Sequence, residues 1–236
     1  MRRDYRPFWV HQLHSKWQSM WVKHFIEPQL DGCGVGLEVI GPRHFKVSGP
    51  SIYLGQDVHV MALPEAPVRL SVFEGMGRIE IADYTLINPG ARVTSAERIS
   101  IGEGCMLAMH TSINDADWHD VQHRIFAPGA TAPVVLEQNV WLGEGTRVLK
   151  GVSIGENTVV GAGSVVSRSL PANVIAAGNP ARVIKPLPEG EGTTRADLFN
   201  MDISYAQFAD EFMRERLRGN GFLSWLGSFL SKRGFD

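Results

Sequence analysis

The chain has 236 residues, 44% of them hydrophobic and 20% charged, with a formal net charge of −2. That length can bury a full core without an external staple, and the near-balanced charge removes the electrostatic reason to expect a nucleic-acid partner. Two cysteines, Cys33 and Cys105, lie far apart and form neither a disulfide framework nor a metal-ligand spacing. Free thiols fit a reducing cytosol. The segment from Met1 to Val10 is basic but lacks the apolar run of a signal peptide, and no stretch approaches the roughly 20 apolar residues of a bilayer span. The expectation is a soluble, cytoplasmic protein.

Residues 1–30 hold the first predicted element. Trp9, Leu13, Trp17, Met20, Trp21 and Phe25 fall near helical spacing, so Phe8 to Phe25 reads as an amphipathic helix that Pro28 terminates. The aromatic stripe is read as packing.

From residue 31 to 186 a different period governs. Every sixth residue from Leu136 is aliphatic: Leu142, Val148, Ile154, Val160 and Val166 follow. Four residues beyond each anchor stand Val140, Thr146, Val152, Thr158, Ser164 and Leu170, mostly small or β-branched, and Gly143, Gly155 and Gly161 follow three anchors directly. The same period occurs upstream in Ile81, Ile87 and Val93, and again, displaced by two residues, in Ile101, Leu107 and Ile113. Weaker pieces surround Leu54, Val58 and Val60, and Val68 and Leu70. A period of six is neither the 3.6 of a helix nor strand alternation. It suits short strands joined by tight turns, three to a coil, with every anchor pointing inward so that stacked coils form one apolar column. A slip of two residues bulges at a corner.

The repeat is interrupted at about 115–133 by Asn114-Asp115-Ala116-Asp117-Trp118-His119-Asp120 and then His123-Arg124. A long excursion from a rigid solenoid is where function concentrates. After Asn179-Pro180-Ala181 the repeat stops. Pro186, Pro188 and residues 189–194 read as a linker, Ala196 to Leu217 as helical, and Phe222, Leu223, Trp225, Leu226, Phe229 and Leu230 as an apolar segment ending at Lys232 and Arg233. Residues 187–236 thus form a linker and helical tail. The stretch 222–233 suits docking on its own domain, a neighbouring subunit or, as a weak contact, a membrane surface.

The pattern Ile-Gly-x-x-x-x resembles the hexapeptide-repeat transferases, an all-β solenoid whose coils wind into a left-handed parallel β-helix. Ile101-Gly-Glu-Gly-Cys-Met-Leu-Ala-Met-His-Thr-Ser-Ile113, followed by a loop with histidine, looks like the galactoside and maltose O-acetyltransferases and related bacterial polysaccharide O-acetyltransferases. Asn139-Val-Trp-Leu-Gly143, Gly151-Val-Ser-Ile-Gly155, Gly161-Ala-Gly-Ser-Val-Val166 and Ala177-Gly-Asn-Pro-Ala-Arg-Val-Ile-Lys185 resemble their C-terminal coils. The resemblance covers about residues 50–186, most specifically 134–185.

What it implies is acetyl transfer from acetyl-CoA to a hydroxyl or amine of a small acceptor, a sugar or glycan precursor, with no metal. Such chemistry needs a base for the acceptor's proton and donors for the developing oxyanion. Histidine suits the first role because its charge change ordinarily lies at working pH. His119 is the residue carried over as base, one residue further from the coil than in the family, with Asp117 or Asp120 to orient it. His110 reads as structural or cavity-lining, and His123 as a reserve. Asn88 matches an acceptor-contacting asparagine, and Asp115 of the acidic loop is a further acceptor-binding candidate. The CoA path implied by position runs through Trp141 and Gly143 at the thioester end, Ala162, Ser167 and Arg168 along the pantetheine and nucleotide, and Arg182 and Lys185 at the phosphates. Backbone amides near Gly143 would hold the oxyanion. The relatives are trimers with sites between subunits, so a homotrimer is expected.

Two other readings fit parts of the chain. A solenoid without catalysis would use its flat faces for binding. The γ-type carbonic anhydrases share the architecture and bind a metal through three histidines, a comparison that His110, His119 and His123 invite but whose spacings they do not match.

Overall fold

The structure is a computed structural model that describes residues 4–125, 127–188, 190, 192–199 and 205–230. Its centre is a parallel β-helix of short strands. The first coil comprises β1 (Gly32–Cys33), β2 (Glu38–Ile40) and β3 (Phe45–Ser48), and the second β4 (Ile52–Leu54), β5 (His59–Met61) and β6 (Val68–Val72). The third comprises β7 (Ile79–Ile81), β8 (Leu86–Ile87) and β9 (Arg92–Ser95), and the fourth β10 (Ile99–Ile101), β11 (Met106–Leu107) and β12 (Ser112–Asn114). Beyond the loop come β13 (Val134–Leu136), β14 (Trp141–Leu142) and β15 (Arg147–Val148), then β16 (Ser153–Ile154), β17 (Val159–Val160) and β18 (Val165–Val166). An antiparallel hairpin, β19 (Val174–Gly178) and β20 (Ala181–Pro186), closes the stack. Every third strand pairs in parallel, giving a first sheet from β1 to β16, a second from β2 to β20 and a third from β3 to β18.

The anchors do what a period of six demands. Leu136, Leu142, Val148, Ile154, Val160 and Val166 are each at most 1% exposed, and each such burial contributes about 1.5–3 kcal/mol. The column of small residues is buried too, which would strand its hydroxyls. They are satisfied by turn carbonyls: Thr158 Oγ1 donates to Pro171 O at 2.7 Å and Ser164 Oγ to Gly161 O at 2.6 Å.

The coils turn through residues in the left-handed region. At the first corner Asn139, Asn157 and Asn173 hold φ of 55°, 59° and 58°, a conformation that asparagine tolerates better than most residues. Their amides form a ladder, Asn139 Nδ2 to Asn157 Oδ1 and Asn157 Nδ2 to Asn173 Oδ1, both at 2.9 Å.

The two-residue slip has a definite place. Val93 pairs with Ile113 in the third sheet while Ile101 pairs with Ile81 and Leu136 in the first. The extra residues therefore sit at the third corner, between β9 and β10.

At the N-terminal end, α1 (Phe8–Trp21) continues into a wider turn, Val22–Ile26, and a 3-10 turn, Glu27–Gln29. Pro28 lies inside that last turn, whose early positions need no amide, so helical chain runs past the expected stop. Val22 and Ile26 are buried against the first coil, and the Arg43 guanidinium lies over Trp17 and Trp21 at 5.1 and 4.9 Å. In the tail, a 3-10 turn (Ala196–Leu198), α2 (Tyr205–Arg216) and α3 (Phe222–Leu230) replace the single helix read over 196–217. Residues 200–204 within that reading, and Lys232 and Arg233 beyond Leu230, lie outside the described residues. No helix of the described residues is long and apolar enough to cross a membrane.

Candidate active site

The long loop leaves the third corner after β12, and its root is built from the slip. Asp115 is fully buried. Its carboxylate accepts from Ser95 Oγ at 2.6 Å, Ala96 N at 2.7 Å and Glu97 N at 2.9 Å. Ser95 ends β9, and Ala96 and Glu97 follow it in the corner below, where their amides have no strand to pair with. Asp115, expected to meet an acceptor, is instead turned into the fold as a brace: both oxygens are occupied and no surface is left.

Above that brace the loop closes on itself. Ala132 N donates to Asp115 O, Asp117 N to Ala130 O and Gly129 N to Asp117 O, at 2.9, 2.9 and 2.6 Å. Gly129 passes so close to His119 that a Cβ there would sit 2.5 Å from the His119 carbonyl oxygen. Trp118 turns down along the edge and packs on Phe73, ring centroids 5.7 Å apart.

His119 is held at this edge with its imidazole exposed. Neither flanking aspartate hydrogen-bonds that ring. The Asp117 carboxylate pairs with Lys150 Nζ at 2.7 Å. Asp120 Oδ1 accepts from His123 N and Gln122 N at 2.7 and 2.8 Å, and those two amides hold its carboxyl below the usual carboxylate range. Both aspartates therefore shape the loop, and an orienting bond to His119 requires a rearrangement on binding.

The CoA candidates divide between two corners. Ser167 and Arg168, both exposed, follow β18 on the same third corner as the loop. Asn88, Gly143 and Ala162 belong to the second corner. There Gly143 lies directly on the next coil, a Cβ at that position meeting Ala162 N at 2.6 Å, and Gly161 lies under Ala177. Arg182 pairs with Ala177 and Lys185 with Ile175 on the closing hairpin, both cations exposed. Trp141, 46% exposed, stands on the outer face of the second sheet between Met106 and Val159. Asn88 is half-buried, its amide donating to Leu107 O at 3.0 Å.

Of the amides near Gly143, one is already consumed by the ladder. Gly143 N donates to Val160 O at 2.7 Å as part of the coil-to-coil ladder, so it has no hydrogen to offer. Glu144, next along the turn, donates no backbone bond among the described residues and is exposed. The sequence does not separate the two because ladder and turn amides look alike in a period of six.

It also passed over the setting of His110. That residue is exposed and holds φ of 60° at a corner where the stacked coils place Gly90, Gly145 and Gly163. Its ring lies over Gly90, occupying the space a Cβ would need. An imidazole in a glycine's conformation adds a titratable group to the second corner, one coil from both Asn88 and Glu144. Among the described residues no three histidine, cysteine or carboxylate side chains of one chain converge as metal ligands.

Comparison with known proteins agrees with this architecture. Residues 133–168 match the bacterial transferase hexapeptide model of six repeats. A Saccharomyces cerevisiae protein described provisionally as an acetyltransferase is 38% identical over 117 residues, 49% of this chain and 60% of that one. The galactoside O-acetyltransferase of Escherichia coli is 36% identical over 91 residues, 38% of this chain and 44% of the enzyme. That of Lactococcus lactis is 39% identical over 98 residues, 41% and 47%. The chain thus spans about half the length of these curated relatives. A solved N-acyltransferase of Bacillus cereus, in complex with coenzyme A and a dTDP-linked amino sugar, shares the fold at TM-score 0.55 and 20% identity, over 82% of this chain and 96% of that one.

Proposed function

We propose, from its place among the hexapeptide-repeat acetyltransferases resembling the galactoside and maltose enzymes, that this chain moves an acetyl group from acetyl-CoA to a hydroxyl (or amine) of a small acceptor, a sugar or glycan precursor. The observation that carries the reading is the loop: His119, exposed like its loop neighbour His123, is presented at a solenoid edge by a buried root of three hydrogen bonds to Asp115.

The reaction is direct transfer. The His119 imidazole takes the acceptor's proton as its oxygen attacks the acetyl carbonyl carbon. The tetrahedral oxyanion is met by the Glu144 amide of the second corner. Collapse breaks the carbon–sulfur bond, and the imidazolium returns the proton to the departing CoA thiolate. Asp117 or Asp120 stabilises the imidazolium once the loop closes on substrate. Ala162, Ser167 and Arg168 line the pantetheine and nucleotide, with Trp141 and Gly143 at the thioester end and Arg182 and Lys185 meeting the phosphates. Asn88 contacts the acceptor.

Geometry also supports the homotrimer. Within one chain, Glu144 and Lys150, which meets the loop, flank β15 six residues apart, about 20 Å along an extended side at strand spacing. A base and an oxyanion donor must both reach one carbonyl. The site is completed when the loop edge of one chain meets the second corner of its neighbour.

The test is thiol release from acetyl-CoA by the purified protein against a panel of sugars, amino sugars and amines. Turnover with one acceptor supports the reading. Silence across the panel with no CoA binding by calorimetry would move the assignment to a non-catalytic solenoid.

A further inference from the structure

The two ends of the chain meet outside the repeat. Trp9 of α1 packs edge-on against Trp225 of α3, centroids 6.2 Å apart, and Asn220 Nδ2 donates to Asp4 O and Arg6 O at 2.8 and 3.0 Å. Arg214 of α2 lies over the Phe8 ring at 4.8 Å. The helices form one platform at the N-terminal end of the solenoid.

That platform has an apolar face too many. The side of α1 carrying Trp17 and Trp21 meets Arg43 and the first coil. The adjoining side carries Trp9, Leu13, Lys16 and Met20, residues four, three and four apart and so on one helical face. Trp9, Leu13 and Met20 are 48%, 58% and 56% exposed, and on α3 Phe222, Leu223 and Leu226 are 52%, 81% and 45% exposed. Folding does not cover this surface, and contiguous apolar exposure of this kind marks an interaction site.

Its charge selects the occupant. From Phe8 to Ile26 there is no acidic side chain, only Lys16 and Lys23 beside three histidines, and Phe222–Leu230 is uncharged. Both lysines are exposed. A groove of about 400 Å³ beside α1 adds Arg43 and Lys46 to its lining. On neighbouring α2 and just after it, Asp210, Glu211 and Glu215 are balanced in number by Arg214, Arg216 and Arg218, two of the acids in ion pairs with Arg214 and Arg218. Tryptophan and leucine with only cations among them suit the headgroup boundary of an anionic bilayer, where aromatic rings and aliphatic tips enter and lysine stems reach back to phosphate.

We infer that α1 and α3 together form a docking face for an anionic membrane surface, on which the solenoid stands by its N-terminal end. This inference is independent of the acetyl-transfer reading, and its test uses no enzymatic readout. The full chain is floated with vesicles of phosphatidylcholine alone and of phosphatidylcholine with phosphatidylglycerol. Binding to the anionic vesicles alone is expected, lost on raising the salt concentration. Lys16→Gln with Lys23→Gln weakens it by about tenfold or more, and Leu13→Glu with Leu223→Glu abolishes it. All four side chains are exposed, so each variant keeps the wild-type circular dichroism and melting midpoint. Failure to bind anionic vesicles, or undiminished binding by both folded variants, overturns the inference. Self-association that Leu13→Glu with Leu223→Glu removes, without vesicle binding, assigns the face to a second copy and overturns it equally.

Discussion

Lys150 Nζ stands 2.7 Å from Asp117 Oδ2, tying the coil above the loop to the loop's root. The pair is partly exposed, 31% and 43%, so its stabilising contribution is screened and amounts to about 0–1 kcal/mol. Its consequence is placement: Asp117 is two residues from His119. Lys150→Met leaves the thermal midpoint nearly unchanged but lowers turnover by about tenfold, through misplacement of the base. Parallel melting and initial-rate measurements check the split. A large loss of stability with normal turnover would mean the pair is merely structural.

Asp115 makes the opposite prediction. Its carboxylate is fully buried and accepts three hydrogen bonds. Asp115→Asn keeps the shape but aims an amide donor at backbone donors, costing about 2–3 kcal/mol. Urea unfolding should show a lower midpoint at unchanged slope. CoA affinity of the folded variant should stay at the wild-type value, because no CoA candidate touches this carboxylate.

The two thiols are predicted to be inert at neutral pH. Desolvation pushes Cys33 up to about 11 and Cys105 up to about 12. Only the thiolate is alkylated, so the reactive fraction is small below those values and grows as pH rises toward them. Cys33, exposed, should label slowly with iodoacetamide and faster with rising pH. Cys105, buried, should label only after unfolding. Rapid labelling of Cys33 at neutral pH would contradict this.

The proposed division of the site between two edges predicts complementation. Ala162→Trp fills the exposed second corner and blocks CoA, while His119→Ala removes the base. Each variant alone is inactive. Unfolding and refolding them together restores part of the activity, because some mixed interfaces join an intact loop to an intact corner. No recovery in verified mixed oligomers would place the whole site within one chain.

Much of this architecture was legible because a period of six is a physical constraint: Leu136, Leu142 and Val148 recur inward only if each step turns a corner. The loop was legible as an interruption of that period. What the pattern could not distinguish was the direction of a side chain within the interruption. Asp115 and Asp120 read alike as acidic loop residues, yet one fills a buried corner left by the slip after β9 and the other caps an exposed turn. The two-residue slip was visible, but that its corner would turn the amides of Ala96 and Glu97 onto one carboxylate depends on stacking between coils. The amides near Gly143 pose the same problem, since only the register shows which of them the ladder consumes. The tail helices escaped a clean reading because their partner, α1, lies more than 200 residues away in sequence.

The most direct test of the account compares steady-state transfer by the wild-type protein and His119→Ala, with CoA affinity measured on both. The account predicts a fall in turnover of at least about a hundredfold with the CoA dissociation constant unchanged, because His119 meets the acceptor's proton and not the donor's tail. Turnover retained in a folded variant would contradict it and remove His119 as the base.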